Sequence, residues 1–156
     1  MGLISHQKPV QEAAYQDGTC YGCGPANPDG LHLKSYMSKD GDKLTASFDP
    51  ADRFNAGIPN VAYGGLIASL IDCQSMWTAI TFAHLDEDRP LTDDFIWYVT
   101  AELNVEFQGP TPLDQPIHLQ SWVEGESGPK TRVTCELGPE ETVTAVGDVL
   151  AVRRST

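Results

Sequence analysis

The stretch Gly64 to Phe82, "GGLIASLIDCQSMWTAITF", carries a single charged side chain, Asp72. A helix over this run, from about Tyr63 to Phe82, is apolar on most of its sides. Such a helix must be covered on most sides by the rest of the chain. Ser69, Asp72, Gln74, Ser75, Thr78 and Thr81 make it too polar for a membrane span, which wants roughly 20 mostly apolar residues. The remaining elements therefore have one task, to wrap this helix.

Strand signals supply the wrapping. "FIWYVTAELNVEF" (95–107) alternates, with Val99, Ala101, Leu103, Val105 and Phe107 on one face. Tyr98, Thr100, Glu102, Asn104 and Glu106 take the other, the period of a half-buried strand. "PIHLQSWVEGE", "KTRVTCEL" and "TVTAVGDVLAVRR" follow, joined by turns short enough to require antiparallel pairing. Upstream, "LHLKSYMS" and "KLTASFDP" flank an Asp-Gly and read as a hairpin. "CYGCGPANPDG" reads as consecutive turns, "ADRFNAGIPN" as a loop, and "AHLDEDRPLTDD" as an acidic loop. Residues 1–19 form an N-terminal arm, loose or a short helix, and 20–156 a single domain. The fold class is α+β: an antiparallel sheet wrapped around one long central helix, the hotdog layout.

The net charge of −12 repels phosphate backbones, which argues against a nucleic-acid partner and against an anionic membrane surface. An anionic ligand would need a local basic patch. Lys130 and Arg132 in "GPKTRV", and the pair Arg153 and Arg154, are the candidates, although each also reads as a solvated strand end. Cys73 and Cys135 lie in apolar elements and read as small buried hydrophobes. Cys20 and Cys23 form a Cys-x-x-Cys. Zinc would need two further ligands, with His32 the only close one, and a redox motif would need a strand-to-helix context. No metal and no cofactor is expected. "MGLISHQKPV" lacks the apolar run of a signal peptide, so the expected location is the reducing cytoplasm.

Asp72 has two readings. It caps a loop or pairs with an arginine, or it is a general base or nucleophile with its pKa tuned by burial. Gly64 and Gly65 likewise make a tight turn into the helix, or they admit close approach of a substrate. The free N–H groups and dipole of a helix N-terminus stabilise negative charge, and one such donor to an oxyanion is worth roughly 3 kcal/mol. Gly64 and Asp72 lie about 12 Å apart along a helix. One carbonyl cannot use both from the same chain. If both serve one site, the helix start of one chain meets the helix middle of another, giving a dimer with two equivalent composite sites.

These residues resemble the hotdog-fold acyl-CoA thioesterases of the phenylacetic-acid-degradation type. That family carries His-Gly-Gly at the start of the central helix and an acid nine positions after the His. Here Tyr63-Gly64-Gly65 and Asp72 keep the glycines and the spacing, with Tyr in place of His. "CYGCGPANPDGLHL" is similar to the opening of some members, and "AELNVEFQGPTPLDQPI" to the strand after the helix. The resemblance implies hydrolysis of acyl-CoA thioesters by a homodimer or a dimer of dimers. It implies that Asp72 activates water or attacks the carbonyl, that the Gly64 N–H polarises that carbonyl, and that Thr100 orients the water or the acid. Asn55 and Asn60, in the loop before the glycines, are candidates for a substrate-binding amide beside Gly65. Tyr63 can donate a hydrogen bond but does not titrate near neutrality. A non-catalytic acyl-CoA or small-acid binding module is therefore the second reading. A hydratase or dehydratase ranks last, because no His lies near the helix start.

Overall fold

Residues 4–155 are described by a computed structural model; the first three residues of the arm lie outside the described residues. The described part of the arm contains the short helix α1, Val10–Ala14. It is docked rather than loose. Val10 is fully buried, and the Gln11 side chain donates to Ser35 Oγ and accepts from the Ser35 amide.

The hairpin forms as the Asp-Gly spacing requires, from β1 (Ser35–Met37) and β2 (Leu44–Phe48), with Gly41 in the left-handed region. The central helix α2 runs Gly64–Asp86, one turn beyond Phe82. Ala83 and His84 are buried, so packing carries the helix into what reads as an acidic loop. The His84 ring then stitches that loop down. Its Nε2 accepts from the Ile96 amide, so Nδ1 carries the proton and donates to the Arg89 carbonyl.

Four strands follow: β3 (Tyr98–Phe107), β4 (Ile117–Glu124), β5 (Lys130–Gly138) and β6 (Ala145–Arg153). The six strands form one antiparallel sheet in the order β1-β2-β4-β5-β6-β3. Its concave face wraps α2, as expected for a hotdog fold. The approach is close: a Cβ on Gly147 of β6 would fall 2.3 Å from Ile71 Cγ2. Burying Ile67, Leu70 and Ile71 on the helix against Val133, Leu137 and Val149 on the sheet is the main apolar gain. Although α2 is long and apolar enough to cross a membrane, it is spent on this core.

Strand β3 departs from its expected pattern twice. It lies at the sheet edge and is exposed along nearly all of its length, Phe107 at 55%, Val99 at 49% and Leu103 at 39%. It also carries a bulge: Thr100 pairs with Ala151 and Glu102 with Leu150, leaving Ala101 as the extra residue. The bulge breaks the period of two. Thr100 therefore shares the helix-facing side with Leu103, Val105 and Phe107, and Val99 faces outward with Glu102. Without the extra residue, Thr100 would point away from α2.

Candidate active site

Asp72 sits on the third turn of α2, half-buried, facing β3. Its Oδ1 accepts a 2.5 Å hydrogen bond from the Thr100 hydroxyl. Among the described residues it pairs with no cation, so the arginine-partner reading fails. Burial pushes its pKa above the usual carboxylate value. The Thr100 hydrogen bond opposes that shift, and the nearby Cys20 sulfur adds to it. The carboxylate opens onto a groove of about 400 Å³. Trp77, Phe95 and Trp97 line it, as does Tyr15 from the arm. Their rings pack edge to face, Phe95 on Trp97 at 4.8 Å and Tyr15 on Trp97 at 5.5 Å.

The other half of the expected machinery lies at the start of α2. Tyr63 occupies the N-cap position with extended backbone and makes no capping hydrogen bond. Its carbonyl accepts from the Leu66 and Ile67 amides, whereas the Gly64 and Gly65 amides find no acceptor among the described residues. They are orphan donors of a helix N-terminus, aimed outward. The Tyr63 ring lies over Gly65, where an added Cβ would fall 2.3 Å from a ring carbon. Tyr63 is 59% exposed. Phe107 packs beside Gly64 at ordinary contact distance. This bare edge, with Tyr63, Phe107 and Leu103, is an apolar surface with free strand hydrogen-bonding groups.

The loop amides are occupied. Asn55 accepts from the Gly57 amide and donates to the Asp52 carbonyl; Asn60 accepts from the Leu113 amide. Both shape the loop that delivers the glycines. The basic patch is not assembled beside the groove, whose lining contains no Lys or Arg. Lys130 and Arg132 project from the convex face of the sheet, opposite the helix. Arg132 is already engaged by Asp148 at 3.1 Å and Glu102 at 3.6 Å, and Arg153 by Glu87 at 2.7 Å. Strand parity explains the miss: Thr131 and Val133 take the buried face, so residues 130 and 132 must take the other.

The structure gathers one group that the spacing alone does not. Cys73, read as a small hydrophobe, meets Cys20 and Cys23, with Cys20 Sγ 3.8 Å from Cys73 Sγ. His32 turns instead to the Asn27 carbonyl. The available signal was the glycine on each side of Cys23, which marks a turn pressed against another element.

A half-buried acid on a central helix, wrapped by an antiparallel sheet with an uncapped glycine pair at the helix start, defines a candidate site on a hotdog fold. No protein-family model matches the chain, and no curated protein matches it. Among solved structures it is similar to a thioesterase superfamily protein from Shewanella loihica PV-4. The two are 33% identical over 79% of this chain and 91% of that one, with a TM-score of 0.63. The chain belongs to the thioesterase superfamily. Two further structures share the fold. One is a Bacillus halodurans protein solved with CoA, 18% identical, covering 81% of this chain and 76% of that one at TM-score 0.61. The other is a phenylacetic acid degradation-related protein of Ralstonia eutropha JMP134, 16% identical, covering 78% and 85% at TM-score 0.61.

Proposed function

We propose that this protein hydrolyses acyl-CoA thioesters at composite sites formed by a homodimer or a dimer of dimers. Asp72 of one chain removes the proton from water, or attacks directly, as the thioester carbonyl carbon is engaged. The carbonyl oxygen, as it gains negative charge, is held by the Gly64 N–H of the other chain. On the water route the water oxygen bonds to the carbonyl carbon, the C–S bond breaks, and the CoA thiolate leaves with the proton that Asp72 had taken. On the direct route the thiolate leaves first, water then hydrolyses the acyl-aspartate anhydride to free acid and Asp72 carboxylate, and the proton released from that water ends on the thiol. Thr100 keeps Asp72 ionised and oriented. The observation that carries the reading is the Asp72–Thr100 pair at the mouth of an aromatic groove, with no cation among the described residues to neutralise it.

The acyl group would lie among Trp77, Phe95 and Trp97. The dimer would cover the bare β3 edge, bringing the helix start of one chain to the helix middle of the other. Neither Lys130 nor Arg132 is kept as a contact for CoA phosphates, because both project from the face of the sheet opposite the groove, and Asp148 and Glu102 already neutralise Arg132. The working location is the cytoplasm, where acyl-CoA is made.

The test is thiol release across short, long and aromatic acyl-CoAs. Asp72→Asn should abolish turnover while the oligomer survives; unchanged turnover in that variant removes the proposal. A second reading rests on Tyr63, exposed and with no hydrogen-bond partner for its hydroxyl among the described residues. It is a binding module, which would give saturable CoA-ester binding and no thiol release above background.

A further inference from the structure

The turn Cys20-Tyr21-Gly22-Cys23-Gly24 is pressed onto the helix at Cys73, the residue after Asp72. The contact is so close that a Cβ on Gly22 would fall 2.4 Å from Cys73 Sγ. Gly24 closes the turn by donating its amide to the Cys20 carbonyl at 2.8 Å, and has no room for a side chain either. The outcome is three sulfurs within 4.8 Å of one another. Cys20 Sγ and Cys73 Sγ are 3.8 Å apart. Zinc bound to thiolates at about 2.3 Å sets neighbouring sulfurs about 3.8 Å apart in a tetrahedron.

A donor faces the cluster, as donors do around metal-bound thiolates. The Trp77 indole N–H points at Cys23 Sγ, 3.3 Å away in the core. Three thiols have no evident reason to converge for packing alone. Small apolar residues would fill the same space.

We propose that Cys20, Cys23 and Cys73 bind a zinc-class ion through three thiolates, with the fourth position completed by a ligand from the groove. Soft thiolates select zinc over magnesium or calcium. All three cysteines line the groove that holds Asp72, so the open side of the site faces that carboxylate. The ion would clamp the 20–24 turn to the helix turn carrying Asp72. It would thereby fix one wall of the groove and tie the Cys-x-x-Cys to the rest of the fold.

The test reads metal, not turnover, and so stands apart from the fate of the hydrolase reading. Reduced protein purified without chelator is incubated with zinc, desalted and assayed for bound metal; cobalt(II) is titrated in parallel. The expected result is about one ion per chain and, with cobalt, thiolate charge-transfer bands with tetrahedral visible bands. Cys20→Ser, at an exposed position that should not disturb folding, should cost at least about tenfold in zinc affinity. Cys73→Ser should do the same, whereas Cys135→Ala, outside the cluster, should bind as the wild type does. Reduced wild-type protein that retains no zinc and gives no cobalt bands overturns the proposal. Binding that survives both serine variants also overturns it, as does a Cys20–Cys73 disulfide in a chain that holds no ion when reduced.

Discussion

Replacing Gly64 with proline removes the proposed oxyanion donor and almost nothing else. Gly64 is the first residue of α2, the position where proline is best tolerated, because its amide has no intrahelical partner. Tyr63 already holds φ −60° and ψ 133°, the extended conformation that a residue before proline must adopt. A Cβ at position 64 meets Phe107 at 3.6 Å, an ordinary contact. The fold should therefore keep its melting temperature. Asp72 in the same chain is about 12 Å away and keeps its environment. One donor to a developing oxyanion is worth roughly 3 kcal/mol, so kcat should fall about 100- to 1,000-fold. Gly64→Ala retains the N–H and should stay within a few-fold of wild type. The assay is steady-state thiol release, with thermal unfolding followed alongside. Wild-type kcat in a well-folded Gly64→Pro protein would refute the assignment of that amide.

Thr100→Val should lower kcat by about tenfold or more, the loss of one hydrogen bond to a charged group, with Thr100→Ser restoring most of it. Equal damage from both variants would reduce Thr100 to packing. Leu103→Glu, on the exposed β3 edge, should shift the protein toward monomer in light scattering and abolish turnover with little loss of secondary structure. His84 sets an acid limit on stability. Desolvation lowers its folded pKa below the ordinary 6.5, so the unfolded chain binds the proton more readily. Its contribution is complete above about pH 6.5 and is lost as the pH falls below that value. Urea unfolding at stepped pH should show that decline, and His84→Gln should flatten it.

Much of the frame was legible because it follows from regular periods. The helix announces itself by nineteen residues with one charge, and the late strands by alternation between short turns. The hairpin is written in its Asp-Gly. What escaped depends on irregular or distant packing. The bulge at Ala101 has no period, yet it turns Thr100 toward Asp72. The helix runs past Phe82 because Ala83 and His84 are buried, which an acidic sequence from Asp86 onward conceals. The exposure of β3 reflects its place at the sheet edge, a matter of strand order rather than of its residues.

For the site, the acid and its glycines could be read from spacing, and the distance between them forces the question of a second chain. The basic patch could not. Arg132 is claimed by Asp148 on the next strand and by Glu102 on β3, and parity turns Lys130 away from the helix. Nor could the meeting of Cys73 with Cys20 and Cys23, which spans 53 and 50 residues of chain and depends on how the turn docks.

The central claim is that one active site draws Asp72 and Gly64 from different chains, and mixed dimers test it directly. Asp72→Asn and Gly64→Pro chains, each inactive alone, are differently tagged, mixed and purified as the heterodimer. One of its two interfacial sites then holds an intact Asp72 opposite an intact Gly64, and the other holds neither. The heterodimer should recover about half of wild-type turnover, one working site of two. A heterodimer as inactive as its parents would contradict the account, because it would place both groups, or the true catalytic pair, within a single chain.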